Sequence, residues 1–167
     1  MTTDSVQTLI SAMAEKIRRE LQRRRLTDPA MVGIHTGGVW IAKRLHELLE
    51  INLPLGNLDI SFYRDDFTRI GMNPQVRPSE LAFSVDDRHI ILIDDVLHTG
   101  RTVRAAMNEL FDYGRPASIT LAVLVERSGR ELPIEASVVG RKINLGLGEH
   151  VKLTGPDPLA LQIQRTT

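Results

Sequence analysis

Apolar residues recur along the first half of the chain at spacings that predict alternating helices and strands. The N-terminal segment predicts a helix, because its apolar side chains share one helical face: Val6, Leu9, Ile10, Met13, Ile17 and Leu21. A strand is predicted over 31–34, a loop over 35–38 and a second helix over 39–50. Alternating apolar and polar residues predict another strand over 58–63.

The second half contains a continuous apolar run over 90–93, which is typical of a strand covered on both faces of a parallel sheet, and another strand of the buried type is predicted over 118–125. From Thr102 to the stop signal Gly114 the spacing is helical, with an apolar stripe formed by Val103, Ala106, Met107, Leu110 and Phe111. Short late strands are predicted over 137–140, 150–153 and 161–163. The alternation predicts an α/β fold in which a parallel central sheet is flanked by helices.

The segment 64–80 between these halves is polar and has little periodicity. It contains Gly71, Pro74 and Pro78, which interrupt regular structure. A loop of this length in a compact domain is usually a functional lid or disordered. We therefore expect a flexible lid, or hood, in this part of the chain.

Composition narrows the class of protein. The chain has 167 residues, which suffice for one substantial core, so we expect a single domain over 1–167. It has no cysteine, and 21 Lys and Arg residues balance 21 Asp and Glu residues, so no global charge attracts it to nucleic acid. Because the sequence has neither a secretory signal nor an apolar run of spanning length, we expect a cytoplasmic protein without a membrane partner.

The most informative segment is 88–102, where an apolar run ends in Asp94 and Asp95 and then continues through a Thr-Gly-Arg-Thr turn into a helix. Glycine permits a tight turn, and the amides and hydroxyls at a helix N-terminus hold phosphate. Carboxylates repel phosphate, so the two aspartates should face a hydroxylated ring or a metal ion. A ribose 5-phosphate meets both requirements, since its 2- and 3-hydroxyls can donate hydrogen bonds to the carboxylates.

This pattern strongly resembles the phosphoribosyl diphosphate (PRPP) motif of type I phosphoribosyltransferases. The resemblance implies that family's fold and PRPP binding by the whole motif: Asp94, Asp95, Val96, Leu97, His98, Thr99, Gly100, Arg101 and Thr102. It also implies that the loop 35–38 binds pyrophosphate through Thr36, Gly37 and Gly38. Close relatives usually have arginine at the position of Gly37, so this chain lacks a charge that would contact pyrophosphate.

Segments 58–66, 114–118 and 123–134 resemble one branch of that family, the pyrimidine-operon regulators that also have uracil phosphoribosyltransferase activity. The resemblance implies a lid that closes over PRPP and Mg²⁺, in which a catalytic Arg64 meets phosphate and Asp65 or Asp66 holds magnesium-bound water. It implies a uracil site near the end of the 118–125 strand, at Val125, Glu126 and Arg127. It also implies a homo-oligomer, a dimer or larger.

The implied reaction transfers ribose 5-phosphate from PRPP to N1 of uracil, giving UMP and pyrophosphate, with Asp94 and Asp95 in catalytic roles. His98 lies where some purine-using relatives carry a catalytic Asp, so it could accept the proton of N1. It could equally be a loop residue that contributes only its amide and packing. Two other functions stay open: a UMP-sensing RNA-binding regulator with little turnover, and a purine phosphoribosyltransferase.

Regulation is the second function that the resemblance implies, through UMP-promoted binding of pyrimidine-operon messenger RNA. Arg130, Arg141 and Lys142 keep positive charge on the surface that the family uses for RNA. Glu15 and Glu135, however, occupy positions where the regulators carry a histidine and a basic residue, and a carboxylate repels a phosphate backbone. Another candidate patch on the first helix consists of Arg18, Arg19, Arg23, Arg24 and Arg25, although charges on a helix surface usually form a solvated face.

Overall fold

A computed structural model describes residues 3–60 and 79–166. In chain order the elements are α1 Thr3–Arg23, β1 Ala30–Ile34, α2 Gly37–Leu48, β2 Gly56–Leu58, β3 His89–Leu97, α3 Arg101–Tyr113, β4 Ser118–Arg127, β5 Val138–Ile143, β6 Glu149–Thr154 and β7 Ala160–Arg165. The predictions made for Arg64, Asp65 and Asp66, and for the lid as far as residue 78, lie outside the described residues.

Within those residues, β1 to β5 form a parallel sheet in the order β2-β1-β3-β4-β5. The chain adds β2 on one side of β1 and then crosses to the other side to add β3, β4 and β5. In open α/β sheets, ligands bind beyond the carboxyl ends of the strands at the point where the order reverses. The predicted α/β fold is confirmed, and its topology places the candidate site beyond the ends of β1 and β3.

Both faces of the sheet are covered by apolar cores. Ile91 and Ile93 of β3 lie in one core with α1, α2 and the β6–β7 pair, whereas Ile90 and Leu92 lie in the other core with α3. Successive side chains of a strand point to opposite faces. This is the physical reason why a continuous apolar run correctly predicted a strand buried on both sides.

Two predicted strand bounds differ from the structure. The strand predicted from residue 58 onward is observed as β2, Gly56–Leu58, because the last paired residue of β1 is Ile34, which faces Leu58; positions 61–63 of that prediction lie outside the described residues. The strand predicted to end in the two aspartates continues as β3 to Leu97, because β4 offers paired residues along that length. The two aspartates are therefore strand residues.

Other differences are smaller. The sequence places Phe111 on the buried stripe of α3, but its side chain is 57% exposed. Phe111 follows the buried Leu110 and so lies about 100° further around the helix. The helix expected over 39–50 is α2, Gly37–Leu48, which begins two residues earlier.

The late strands do not all join the parallel sheet. β6 and β7 form a separate antiparallel pair, and their Leu153 and Leu161 are buried in the core that contains α1 and α2. No helix in the described ranges is long and apolar enough to span a bilayer.

Candidate functional site

Two loops meet where the strand order reverses. The segment 35–38 follows β1 and includes the first two residues of α2, and the loop 98–100 leaves β3 and leads into α3. These are the segments to which the sequence assigned the pyrophosphate and the 5-phosphate of a ribose donor. Because β1 and β3 are hydrogen-bonded neighbours, the fold brings the two segments to the same edge of the sheet.

Gly37 and Gly38 lie directly against the aspartates of β3. A Cβ atom on Gly37 would lie 2.7 Å from Cγ of Asp95, and a Cβ atom on Gly38 would lie 2.6 Å from the carbonyl oxygen of Ile93. Cβ atoms essentially never approach other heavy atoms that closely. The missing arginine at position 37 therefore has a packing explanation, since the carboxylate of Asp95 occupies the space where a side chain would begin.

The two carboxylates face different loops. Oδ1 of Asp94 accepts the N–H of Asp95 at 2.9 Å, and Oδ1 of Asp95 accepts the N–H of Val96 at 3.0 Å, so the backbone orients each side chain. Asp94 is 4% exposed and lines a cavity beside the start of α3, whereas Asp95 lies against Gly37 at the start of α2. Adjacent strand residues point to opposite faces, which explains this division.

Residues 98–102, called the cradle below, comprise the loop after β3 and the first residues of α3. Gly100 has a φ of +94°, in the left-handed region that favours glycine. Thr99 Oγ1 accepts the N–H of Arg101 at 3.2 Å. The cradle borders a cavity of about 130 Å³ that is lined by Asp94, Val96, Leu97, His98, Thr99, Gly100, Thr102 and Val103. A helix N-terminus beside such a cavity fits an anion.

A second cleft, of about 230 Å³, lies at the ends of β4 and β5 and is lined by Glu126, Arg127, Ser128, Gly129, Arg130, Lys142, Ile143 and Asn144. Nε of Arg127 is buried and has no acceptor among the described residues. Val125 was also assigned to uracil, but its side chain is fully buried within β4 and it is paired with Val96 and Arg141.

His98 lies between the cradle and this cleft. Its ring lies against Gly129, on which a Cβ atom would lie 2.8 Å from Nε2. Desolvation of the ring and then the positive charge of Arg127 lower the pKa of His98 below the ordinary histidine value. The lowered pKa favours the neutral imidazole, which can accept a proton.

Arg130, which the sequence assigned to RNA, is engaged inside the protein. Its Nη2 donates to Oε1 of Glu126 at 2.6 Å and its Nε to the carbonyl oxygen of Ile134 at 2.9 Å. Its Nη1 donates to the carbonyl oxygen of His98. Lys142, in contrast, is 80% exposed and lies 3.4 Å from the other carboxylate oxygen of Glu126.

The remaining residues of the predicted RNA surface are mixed in charge. Arg141 and Glu135 are both exposed. Glu15 on α1 is exposed as well and forms an ion pair with Arg18. This surface therefore combines cations with carboxylates and is not uniformly basic.

Sequence reasoning missed one connection of the segment 35–38. Nε2 of His35 lies 3.1 Å from Oδ1 of Asn57, and Asn57 exchanges two backbone hydrogen bonds of 2.9 Å with Glu80. Glu80 is the last residue of the segment expected to form the lid. No local sequence signal predicts this link, because only the pairing of β1 with β2 brings His35 and Asn57 together.

Comparison with known proteins agrees with this geometry. A family model described as a phosphoribosyl transferase domain matches residues 2–154. A protein of Nitrosococcus oceani named bifunctional protein PyrR is 61% identical over 162 residues, covering 96% of this chain and 92% of that relative. A protein of the same name from Pseudomonas paraeruginosa is 57% identical over 154 residues, covering 92% of this chain and 91% of the relative.

Solved structures resemble the chain in fold. A hypoxanthine phosphoribosyltransferase of Trypanosoma cruzi has a TM-score of 0.73 at 20% identity, covering all of this chain and 95% of that one. A purine phosphoribosyltransferase from Pyrococcus horikoshii has a TM-score of 0.65 at 24% identity, covering 86% of this chain and 85% of that one. At these identities the likeness establishes the architecture and carries no information on the base.

Proposed function

The chain belongs to the phosphoribosyl transferase family and, within it, to the bifunctional PyrR proteins, and from this premise we propose that it transfers ribose 5-phosphate from PRPP to uracil. The products are UMP and pyrophosphate. One observation carries the proposal: Gly37 and Gly38 lie directly against Asp94 and Asp95. This contact joins the two loops that a ribose with phosphate groups at both ends requires.

In the proposed complex the 5-phosphate lies in the cradle and the pyrophosphate lies at Thr36, Gly37 and Gly38. Backbone amides can approach phosphate oxygens closely at both places, because glycine has no side chain to shield its amide and helices begin there. Asp94 and Asp95 accept hydrogen bonds from the ribose hydroxyls between the two anions. Such bonds to a charged acceptor contribute about 1.5–3 kcal/mol each.

We assign the uracil to the cleft beside Arg127. The buried Nε–H of Arg127 lacks an acceptor among the described residues, and a uracil carbonyl oxygen can supply one. Glu126 is held by Arg130 and Lys142, and Val125 is committed to the sheet. Arg127 is therefore the side chain best placed to read the base.

Positioning and electrostatics account for the proposed chemistry. Positive charge develops at the anomeric carbon as pyrophosphate departs, and the carboxylates of Asp94 and Asp95 stabilise it. The two phosphate loops fix the ribose so that its anomeric carbon faces the base cleft. Holding two reactants in place in this way lowers the barrier by removing most of the entropic cost of their encounter.

The donor set fits Mg²⁺ that arrives with PRPP. Mg²⁺ usually keeps several waters and is bound by one or two carboxylates together with substrate phosphates. Asp95, at the junction of the two loops, is a carboxylate that could contribute, and Asp65 and Asp66 remain proposed partners through water. When bound, the ion would neutralise charge on the departing pyrophosphate.

The direct test is pyrophosphate release with PRPP and Mg²⁺ across uracil, hypoxanthine and guanine. We expect turnover with uracil and none above background with the two purines. Turnover with hypoxanthine or guanine and not uracil would make the protein a purine phosphoribosyltransferase. PRPP and UMP binding without turnover on any base would make it a nucleotide-sensing regulator.

We expect His98 to act as the proton acceptor for N1 of uracil. Replacement by phenylalanine should then reduce kcat by about a hundredfold, the lower end of general-base contributions. The wild-type kcat should fall as pH drops through the lowered pKa of His98, because protonation removes the acceptor, and His98→Phe should lack that acidic limb. The measurement is kcat against pH for both proteins. Wild-type turnover and an unchanged profile in His98→Phe would reduce His98 to a packing role.

We further propose that UMP promotes binding of pyrimidine-operon messenger RNA, with few phosphate contacts. The proposed RNA surface carries Glu135 beside its cations, the guanidinium of Arg130 is engaged internally, and Glu126 partly neutralises Lys142. The slope of log K against log salt should therefore have a magnitude of only about 1 to 3, since each neutralised phosphate adds roughly 0.7–0.9.

Glu135→Arg tests this surface. The substitution removes a repulsion and adds a cation, so it should tighten binding to a pyrimidine-operon leader RNA and steepen the slope by about one contact. Uracil turnover should not change, because Glu135 is exposed outside both clefts. Tight and steeply salt-dependent binding by the wild type, indifferent to Glu135→Arg, would place the RNA elsewhere on the protein.

A further inference from the structure

The cradle is held from outside by the segment 130–134. Within the described residues, two loop carbonyl groups of the cradle accept hydrogen bonds from this segment. The carbonyl of His98 accepts from Arg130, and that of Thr99 accepts from the amides of Glu131 and Leu132, both at 3.0 Å. Ile134 adds packing, since a Cβ atom on Gly100 would lie 3.1 Å from it.

These bonds matter because a trans peptide is planar, so its C=O and N–H groups point in opposite directions. A carbonyl drawn toward the segment 130–134 therefore turns the N–H group of the same peptide the other way. By donating to the carbonyl of His98, Arg130 therefore directs the N–H group of Thr99 toward the opposite side of the loop. A phosphate site needs its amides turned inward and its carbonyl oxygens turned outward.

Arg130 is the only side chain among these donors to the cradle carbonyls in the described part of the chain. Its guanidinium bonds to three acceptors at once: His98, Ile134 and Glu126. Only 25% of the side chain is exposed. A planar fork with five donors can satisfy three acceptors in different directions, which a lysine ammonium on a flexible stem does not reproduce.

We propose that Arg130 is a positioning residue for PRPP, and this inference rests on the proposed phosphoribosyltransferase function. It fixes the His98–Thr99 peptide so that the cradle presents its amide to the 5-phosphate. Through Glu126 it also ties the cradle to the cleft assigned to uracil. Arg130 thus acts in substrate binding and not as a contact to RNA phosphates.

Arg88 provides a matched control. Its side chain is 26% exposed, and its Nη1 donates to both the backbone carbonyl and the carboxylate of Asp28, at 3.4 and 3.0 Å. Arg88 precedes β3 and so lies at the amino end of that strand, whereas the cradle lies at its carboxyl end. Arg130 and Arg88 therefore have similar burial and the same kinds of acceptor, but only Arg130 touches the cradle.

The experiment compares Arg130→Lys with Arg88→Lys in steady-state kinetics with PRPP and uracil. Arg130→Lys should raise KM for PRPP at least about tenfold, the loss expected from one charge-assisted hydrogen bond, while kcat falls by much less. Arg88→Lys should leave KM for PRPP unchanged. Melting temperatures of both variants show whether either substitution destabilises the folded protein.

Chemical rescue separates positioning from structure. In Arg130→Ala, added methylguanidinium should lower KM for PRPP toward the wild-type value, and it should have no such effect on the wild type. An Arg130→Lys protein with wild-type KM for PRPP but weakened RNA binding would overturn the inference and restore Arg130 to the RNA surface. Equal losses in Arg130→Lys and Arg88→Lys would also overturn it. A wild-type protein without PRPP-dependent turnover would instead refute the proposed function.

Discussion

Asp94→Asn and Asp95→Asn are each expected to reduce uracil turnover by at least about a hundredfold. Each replacement loses a charge-assisted hydrogen bond to the ribose, worth about 1.5–3 kcal/mol, together with negative charge near the developing cation. The effect should appear in kcat as well as in KM for PRPP, because the charge acts mostly in the transition state. Steady-state kinetics of pyrophosphate release measure both.

Asp86→Asn is the control for this pair. Asp86 is exposed, and its carboxylate also accepts a backbone N–H, that of Arg115 at 2.8 Å, but it precedes β3 and lies away from the site. The uracil turnover of Asp86→Asn should equal that of the wild type. Because Asp94 is only 4% exposed, the thermal stability of Asp94→Asn must be measured alongside its kinetics. Near-normal turnover in both site variants would contradict the assignment of the ribose to these carboxylates.

Gly37→Ala is expected to lower kcat/KM by about a hundredfold, although it adds a single methyl group. Its Cβ would lie 2.7 Å from Cγ of Asp95, so either the carboxylate or the pyrophosphate loop must shift. A displacement of about 1 Å can cost a hundredfold in rate. The control is Gly146→Ala, where the nearest atom to the added Cβ is a carboxylate oxygen at the end of the Glu149 side chain, at 3.2 Å.

Gly37→Arg tests the same contact by introducing the residue that the family resemblance implies at this position. Relatives with arginine at this position suggest that the extra charge would tighten PRPP binding. The contact with Asp95 leads us to expect the opposite, a higher KM for PRPP, because the side chain cannot start without displacing that carboxylate. Tighter PRPP binding by Gly37→Arg would show that the loop accommodates the side chain and that Gly37 weakens the donor site.

The functional prediction depended mostly on the segment 88–102. An apolar run, two acids and a Thr-Gly turn before a helical stripe define a strand, a polar edge and a helix N-terminus by local periodicity alone. The structure confirms that order, with β3 followed by the cradle and α3. Such patterns are readable because they depend on neighbours only a few residues apart.

The division of work between Asp94 and Asp95 was not readable from the motif. The sequence predicted a strand that ends in two carboxylates, both of which were expected to face the ribose or a metal ion. Pairing of β3 with β4 continues past them to Leu97, and the resulting strand geometry turns Asp95 toward Gly37 and Asp94 toward the cavity beside α3. The sheet determines this arrangement, because it supplies the hydrogen-bonding partners that extend the strand.

The role of Arg130 shows the same limit. In the sequence it is a cation on the segment where the family resemblance implies an RNA surface. In the structure its guanidinium reaches His98, Glu126 and Ile134. The 32-residue separation between His98 and Arg130 is bridged only because β3 and β4 lie side by side.

The sequence by itself determined the α/β class, the strands buried on both faces and the order of strand, loop and helix in the segment proposed to hold phosphate, since each follows from residue type and local spacing. Three features depend on the tertiary structure alone: the lack of space for a side chain at position 37, the direction in which each aspartate faces, and the contacts of Arg130. Those features are contacts between loops at the carboxyl ends of different strands. They depend on the strand order β2-β1-β3-β4-β5, which the whole core selects and no single segment encodes.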